Sequence, residues 1–224
     1  MGDEPLIRWR WVRRNWSDEI LPALGDHIVL CGISVLIALA ISIPIGIAIT
    51  RYRRAQTPVM FLTGLLYTIP SLSFFAILIT FPGVKIGRTP AIIALVAYSL
   101  LVLIRNTVVG IDSVPRETIE AARGMGLTSS QILRQVELPL ALPIIVAGIR
   151  IATVSAIGIA TIAAYINAGG LGTLIFRGID RDFPTQILIG AGLATLLSVL
   201  VDFGLLAVER WLRPWSRRAA ARAA

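Results

Sequence analysis

Side chains that commonly carry out chemistry are scarce in this chain. Its 224 residues include one histidine, His27, one cysteine, Cys31, and one lysine, Lys85. A single cysteine excludes an internal disulfide and a metal site built from cysteine pairs, and a single histidine excludes a histidine cluster for a metal or a proton relay. Lys85 lacks the Gly-Lys-Ser/Thr context of a phosphate-binding loop, so the chain has no ATPase site of that type. We therefore expect no catalytic residues and no metal site.

The most informative polar stretch is residues 113–143, which lies between two apolar segments. Ser113 and Pro115 predict the start of a short helix, with Ser113 as its cap and Pro115 in its first turn, and Gly124 and Gly126 predict its end. Helical spacing gives this helix a small, mildly apolar face. The face comprises Val114, Thr118, Ala121, Ala122 and Met125.

A second short helix is predicted directly after this glycine corner. Thr128 and Gln131 have the spacing of a capping box, Leu127 and Ile132 have that of a hydrophobic staple, and Pro139 predicts the end of the helix. Two short amphipathic helices that meet at a glycine corner suit insertion into a groove on another protein. The alternative is a hairpin that lies on the membrane surface.

Three short motifs in this stretch occur at a fixed spacing. E-A-A is followed by three residues, G, nine residues, an aliphatic residue, one residue and L-P, with Val136 where isoleucine is commoner. The pattern resembles the EAA loop of the membrane permeases of ABC importers, in which this loop is the cytoplasmic coupling element that docks on the ATPase subunit. The resemblance assigns the docking role to Glu120, Ala121, Ala122, Gly126, Leu138 and Pro139.

The composition of the chain predicts a membrane protein. Hydrophobic residues make up 56% of the sequence, and the mean hydropathy is +0.80, which is too apolar for a soluble domain of this length. The net charge of +8 comes almost wholly from arginines that flank apolar segments instead of forming a stripe on a soluble face. That arrangement argues against nucleic-acid binding.

Periodicity and length predict an all-α polytopic membrane protein with about five transmembrane helices. We divide it into an N-terminal interfacial segment, 1–26, a transmembrane permease domain, 27–212, which contains the coupling loop 113–140, and a basic C-terminal tail, 213–224. A proline break, Pro70, lies within the second span. The predicted spans are 27–50, 58–81, 91–111, 141–166 and 185–208.

Five spans place the two termini on opposite sides of the membrane. If the loop 113–140 is cytoplasmic, then the turn that carries Arg51, Arg53 and Arg54 and the arginine-rich C-terminus are cytoplasmic too, in agreement with the positive-inside rule. The N-terminus then lies outside. The arginines of residues 8–14 run against the rule there, although arginine with tryptophan suits the headgroup layer of a membrane surface.

Three ionisable residues lie well inside predicted spans. Arg105 and Asp202 are roughly 10 Å, and Arg150 roughly 15 Å, from the cytoplasmic ends of their helices at about 1.5 Å per residue. Charges at such depth are costly and count as functional hypotheses by default. Arg105 and Arg150 are alternative partners for Asp202. The three residues either link spans near an inner gate or form a purely structural pair.

Further motifs narrow the resemblance to the permeases of osmoprotectant importers, which handle glycine betaine, choline, carnitine or proline. This likeness implies a type I importer fold, a second permease subunit, identical or paralogous, and an external binding protein that delivers the solute. It also implies a separate ABC ATPase that binds ATP and Mg²⁺, so that this chain is not an enzyme and holds no cofactor. The motifs are Thr68-Ile69-Pro70-Ser71-Leu72, Arg105-Asn106-Thr107, Gly148-Ile149-Arg150 and Gly169-Gly170-Leu171-Gly172.

Quaternary ammonium compounds are usually recognised by aromatic rings through cation–π attraction. The resemblance gives the high-affinity aromatic cage to the binding protein, so this chain needs only a low-affinity path. Packing inside the helix bundle is the alternative role for each candidate. The candidate path residues are Tyr67, Ser71, Tyr98, Thr153 and Tyr165.

Two other functions stay open at this point. A permease of the same superfamily for methionine, another amino acid or another small solute has the same overall pattern, because nothing in the spans identifies the ligand. An intramembrane enzyme is a remote alternative, since it needs a nucleophile with a histidine partner or an acidic metal cluster. His27 lies at the membrane edge, and Asp202 is the only acid well inside a span.

Overall fold

The structure is a computed structural model that describes residues 6–212, so the predicted basic tail 213–224 lies outside the described residues. The described part of the chain is helical and contains no β-strand. Two π-helical turns, Trp16–Ile20 and Leu133–Glu137, and two 3-10 turns, Arg53–Ala55 and Ala164–Ile166, join some of the helices. The helices are α1 Trp9–Arg14, α2 Leu21–Arg51, α3 Gln56–Thr68, α4 Ser71–Ile79, α5 Arg88–Asp112, α6 Arg116–Gly124, α7 Ser129–Ile132, α8 Leu138–Ala163, α9 Gly172–Asp180 and α10 Pro184–Trp211.

Four helical segments within residues 6–212 are long and apolar enough to cross a membrane, and α3 and α4, taken together as one bent span, make a fifth. Helix α3 starts at the end of the bundle where α2 finishes. Helix α5 starts at the opposite end, because its first residue, Arg88, pairs with Asp26 near the start of α2. The connection between them therefore spans the bundle, as the predicted topology requires. The four continuous segments are Trp16–Arg51, Arg88–Asp112, Ser129–Ile166 and Pro184–Trp211.

The proline break in the second span is a sharp bend, and α3 and α4 meet at 96°. Pro70 has an extended backbone, with a ψ of 136°, and cannot continue α3. The carbonyl of Ile69, freed by the break, accepts a hydrogen bond from the hydroxyl of Tyr98 at 2.5 Å. Beyond the bend, Phe74 and Phe75 are buried in the core formed with α5 and α8. The second span is thus made of two short helices at nearly a right angle to each other.

Small residues allow α2, α5 and α8 to pack closely at the centre of the bundle. A Cβ added at Gly46 of α2 would lie 2.6 Å from Cγ2 of Thr107, and one added at Gly148 of α8 would lie 2.4 Å from Cβ of Asn106. Both contacts are with α5. Close backbone approach at small residues is a main source of helix association in lipid, where hydrophobic burial between helices contributes little. Helix α5 is therefore the central element on which α2 and α8 pack.

The N-terminal segment packs against the turn before α10. The ring of Trp11 meets that of Phe183 edge to face, with centroids 5.3 Å apart, and the backbone N–H of Arg8 donates to the hydroxyl of Thr185 at 3.0 Å. This contact lies at the far end of the bundle, opposite α6 and α7. The described part of the predicted interfacial segment is accordingly on the side that the five-span topology requires, and Trp9 and Trp16 stay exposed on it.

Candidate coupling hairpin and intramembrane charge cluster

The coupling hairpin, defined here as residues 113–132, begins differently from the prediction. The expected cap at Ser113 is wrong, because the Ser113 hydroxyl donates to the carbonyl of Gly110 at 2.7 Å and thus bonds back to α5. Helix α6 starts at Arg116, with Pro115 in an extended conformation directly before it. Proline has no N–H to be capped, and its fixed φ directs the chain out of the bundle. Val114, which is 5% exposed, anchors this turn to the bundle.

The motif residues of α6 divide between a buried and an exposed side. Ala122 is 2% exposed, and α6 packs on α7 and on the π-helical turn Leu133–Glu137, whereas Glu120 and Ala121 are exposed and Met125, directly after α6, is 73% exposed. The predicted single face is therefore wrong in part, since Met125 and Ala121 point away from Ala122 and its neighbours. The outward set presents an acidic group, a small residue and a flexible thioether. Such a surface suits a partner's groove better than contact with its own bundle.

Gly126 forms the corner of the hairpin in a left-handed backbone conformation, with a φ of +84°. Its N–H donates to the carbonyl of Arg123 at 2.9 Å, which closes the end of α6. A Cβ at this position would meet nothing within 4 Å. The glycine is therefore required by the backbone conformation and not by lack of space.

The second arm of the hairpin starts as predicted. The N–H of Thr128 donates to Oε1 of Gln131 at 2.8 Å, the N–H of Gln131 donates back to the Thr128 hydroxyl at 3.4 Å, and both bonds together make a capping box. The predicted stop at Pro139 is wrong. Helix α7 passes through the π-helical turn Leu133–Glu137 into α8, where Pro139 occupies the first turn. A proline in the first turn of a helical segment is tolerated, which explains why the helix does not end there. Leu138, which is half-buried, and Pro139, which is exposed, therefore connect the hairpin to the fourth span.

Two arginines, one at the end of α2 and one in the turn after it, hold the chain on either side of the hairpin, and sequence reasoning assigned them only to topology. Arg51 donates to Glu137 through both terminal nitrogens, with Nη1 to Oε1 at 3.1 Å. Arg53 donates to Asp112 through both as well, at 2.8 and 2.7 Å. The available signal was the placement of one acid immediately before the polar stretch and one near its end.

The intramembrane charges form a cluster between α8 and α10. Nε of Arg150 lies 2.8 Å from Oδ1 of Asp202, and its Nη1 lies 3.3 Å from Oε2 of Glu209. The alternative pairing of Arg105 with Asp202 is wrong, because α10 packs against α8 and α9 and brings Asp202 to Arg150. Glu209 was missed, although its position seven residues after Asp202 places both acids on one face of α10.

Arg105 lies apart from this cluster. It is exposed on α5 and, within residues 6–212, forms no ion pair. It lines a groove of about 390 Å³ between α3 and α5 together with Gln56, Met60 and Leu101. The cluster therefore contains Arg150 and Asp202 from the predicted set, lacks Arg105, and includes Glu209 as a third member.

Of the five candidate path residues, the structure brings two together. Tyr67 and Tyr98 meet edge to face at the bend of the second span, with ring centroids 6.1 Å apart, and Phe74 meets Tyr98 in the same way at 5.6 Å. Tyr98 is 6% exposed, whereas Tyr67 is 44% exposed. Only Tyr67 therefore offers an accessible ring at this bend. Ser71 is half-buried one residue past Pro70.

The other two candidates lie elsewhere. The hydroxyl of Thr153 is engaged by the carbonyl of Ile149, to which it donates at 2.7 Å within α8. Tyr165 is 66% exposed at the far end, and its ring lies 5.9 Å from that of Phe176. A cavity of about 300 Å³ adjoins this ring pair and includes Asp180. These residues do not form one continuous site with Tyr67.

His27 is fully buried and joins three elements at the far end of the bundle. The N–H of Leu171 donates to its Nδ1 at 3.3 Å, and its Nε2 lies 3.1 Å from the carbonyl of Ile157. These partners place the ring proton on Nε2. The histidine is thus a structural link between α2, α8 and the glycine loop before α9. In the described residues, no group of three His, Cys, Asp or Glu side chains is arranged to hold a metal.

The sequence matches the family described as the inner membrane component of binding-protein-dependent transport systems, over residues 40–217. The chain belongs to this family. Members are multi-pass permeases of the membrane and not enzymes, which agrees with the helical spans and with the exposed EAA hairpin between the third and fourth of them.

Characterised relatives of this permease family are similar along most of their length. The glycine betaine/carnitine/choline transport system permease protein OpuCB of Bacillus subtilis is 39% identical over 196 residues, which cover 88% of this chain and 89% of the relative. The osmoprotectant import permease protein OsmW of Salmonella typhimurium is 41% identical over 192 residues, 84% of this chain and 89% of the relative.

Solved structures share the fold. An inward-facing structure of the MetNI methionine ABC transporter matches with a TM-score of 0.77 at 22% identity, covering 95% of this chain and 99% of the matched chain. An amino acid ABC transporter solved with histidines matches with a TM-score of 0.73 at 17% identity, covering 89% and 97%. The predicted type I importer fold is confirmed.

Proposed function

We propose that this chain is the permease subunit of an ATP-driven importer for a small osmoprotectant such as a quaternary ammonium compound. The observation that carries the proposal is the sequence identity of about 40% with osmoprotectant, choline and carnitine permeases over nearly the whole of both chains. The exposed EAA hairpin supports the coupling part of the proposal. A permease for an amino acid has the same fold, and the uptake experiment below separates the two.

The coupling hairpin is the docking element for a separate ABC ATPase. Glu120, Ala121 and Met125 project from α6, and Gly126 turns the chain at the tip, so these groups are free to enter a groove on the partner. ATP and Mg²⁺ bind to that partner, because this sequence has no phosphate-binding loop. Closure of the ATPase pair moves the hairpins, and the attached spans rock to open the path to one side and then the other.

A second permease subunit and an external binding protein complete the transporter. Within residues 6–212, the central helices of one bundle pack closely around α5. The path therefore lies between two permeases. The binding protein docks at the far end, where the N-terminal segment, α9 and the start of α10 meet.

We assign a weak binding site for the cationic solute to the bend of the second span. Tyr67 offers an accessible ring there, and the C-terminal end of the α3 dipole adds partial negative charge. Broken helices of this kind contribute to solute sites in other transporters, where their ends face the solute. Tyr98 positions this site by holding the carbonyl of Ile69.

The charge cluster of Arg150, Asp202 and Glu209 ties α8 to α10. Its depth in the bundle and its three charges suit a link that keeps the two spans moving together. The role is mechanical and involves no contact with the solute.

The test is uptake by the purified transporter in proteoliposomes. The permease is purified from its native membrane together with the proteins that accompany it, and uptake of labelled glycine betaine, choline, carnitine and methionine is measured with and without internal ATP. ATP-dependent uptake of a quaternary ammonium compound supports the proposal. Uptake of methionine alone would assign the chain to amino-acid import, and absence of a co-purifying ATPase would remove the coupling role.

A further inference from the structure

Both ends of the coupling hairpin are tied to a single turn of the protein. Arg51 is the last residue of α2 and grips Glu137, at the end of the π-helical turn that leads into α8. Arg53, two residues later, grips Asp112, the last residue of α5. One short turn therefore contacts the chain immediately before the hairpin and again just after it.

Each acid is unfavourably placed without its arginine. Asp112 lies at the C-terminal end of α5, where the helix dipole disfavours a negative charge. The side chain of Glu137 is only 3% exposed, and a buried carboxylate is costly unless it is paired. The two acids flank the same hairpin, and arginines of one turn compensate the cost of both. This coincidence is the main argument for a shared role.

The geometry of the two pairs fixes orientation as well as distance. Both arginines donate through two nitrogens to the two oxygens of a carboxylate, and this fork arrangement resists rotation of one element against the other. Arg54, in the same turn, is exposed and forms no ion pair with another residue of the described range 6–212. The turn thus contains its own matched control.

The π-helical turn Leu133–Glu137 interrupts the regular α-helix between the hairpin and α8. Single π-helical turns are rare and occur often at functional sites. If the hairpin were joined to the bundle only through this turn and through the segment after Asp112, a push on the hairpin would bend these joints. The two ion pairs, at Glu137 and at Asp112, prevent both joints from bending.

We propose that Arg51 and Arg53 are positioning residues of the transport cycle. They make the hairpin and the adjoining ends of α2, α5 and α8 one rigid unit, so that displacement of the hairpin moves three spans together. This inference rests on the proposed function, because it requires an ATPase that moves the hairpin. It adds to that function a clamp formed by residues outside the EAA loop.

The experiment measures ATP hydrolysed per solute imported by the reconstituted transporter. Arg53→Gln and Asp112→Asn are compared with the exchanged pair Arg53→Asp with Asp112→Arg, and Arg54→Gln is the control. We expect the ATPase to co-purify normally and to hydrolyse ATP at its usual rate. Uptake should fall roughly 5-fold or more in the single variants, so that ATP per solute rises by the same factor. The exchanged pair should regain most of the uptake, and Arg54→Gln should behave as wild type.

Arg51→Gln extends the test to the second pair. Removing this partner leaves Glu137 buried without its pair, so uptake and hydrolysis are normalised to folded, monodisperse protein, and Glu137→Gln is measured beside it because it removes the buried charge. Both variants should raise ATP per solute. Unchanged ATP per solute in the Arg53, Asp112 and Arg51 variants would overturn the clamp, as would an exchanged pair as uncoupled as the single variants. A wild-type transporter without ATP-dependent uptake would instead remove the proposed function and the clamp with it.

Discussion

The two ends of the helix bundle are held together by different forces. At the hairpin end, arginines of one turn grip acids on neighbouring elements, and the hairpin itself is largely exposed. At the far end, where Arg88 also pairs with Asp26, Gly172 packs directly against the backbone of α8, and the buried His27 bonds to α8 and to the glycine loop. The forked ion pairs fix the orientation of the elements they join and leave the hairpin exposed to a partner, whereas the close backbone packing at the far end leaves no room for displacement. The difference indicates a far end that is fixed and a hairpin end that is built to transmit motion.

The largest effect is expected where the far end is packed most tightly. A Cβ at Gly172 would lie 1.9 Å from the carbonyl oxygen of Thr161, so Gly172→Ala forces α9 away from α8. Overpacking against backbone should cost about 3 kcal/mol or more of stability. Thermal unfolding in detergent and the amount of protein in the membrane measure the loss. Gly158→Ala, where the added Cβ meets nothing within 4 Å, is the control and should be near wild type.

The next largest effect concerns transport and not stability. Gly126→Asp puts a charged side chain at the hairpin corner, where φ is +84°, and should reduce uptake about 10-fold or more while membrane insertion stays intact. Uptake and ATP hydrolysis are measured on the reconstituted transporter. Gly126→Ala has the same backbone strain without the charge and separates the two causes. Normal uptake by the aspartate variant would refute docking at this corner.

Loss of the buried histidine should weaken the far end by a smaller amount. His27→Leu removes the acceptor for the N–H of Leu171, and an unpaired buried donor costs about 1–3 kcal/mol. The midpoint of thermal unfolding should fall, whereas ATP per solute should stay constant because the hairpin end is untouched. His27→Gln retains an acceptor and should recover part of the loss. A change in coupling without a change in stability would contradict the division between the two ends.

Substitutions in the charge cluster should lower the stability of the protein by different amounts. Arg150→Gln removes a partner from both Asp202 and Glu209, whereas Asp202→Asn leaves the contact between Arg150 and Glu209. We expect the larger loss of stability for the first variant, because it leaves two acids without this partner, whereas the second leaves one of the two contacts in place. Thermal unfolding in lipid nanodiscs measures both. Equal losses would mean that Arg150 does not bridge the two acids.

The smallest effect is expected at the bend of the second span. Tyr67→Ala removes the accessible ring and should raise the KM for uptake about 3-fold, as expected for one exposed cation–π contact of about 0.5–1 kcal/mol. Tyr67→Phe keeps the ring and should leave the KM unchanged. Initial uptake rates across a range of binding-protein and solute concentrations provide the values. A similar loss in both variants would indicate that the hydroxyl matters and not the ring face.

Local signals in the sequence were reliable where neighbouring residues decide the outcome. The capping box of Thr128 and Gln131 forms as its spacing predicted, because both partners lie within one turn. The cap at Ser113 failed since its hydroxyl found a nearer acceptor in the preceding helix. The stop at Pro139 failed because a π-helical turn shifted the proline into the first turn of α8.

Length, periodicity and residue spacing are enough to predict a bundle of about five apolar spans with one polar hairpin, and the position of each charge along its helix. The packing of the helices is what sets Asp202 against Arg150 and not Arg105, and what brings Arg51 and Arg53 to the two acids that flank the hairpin. Depth along a helix is a property of one segment, but the direction in which a side chain finds its partner depends on which helices pack together and how they are rotated.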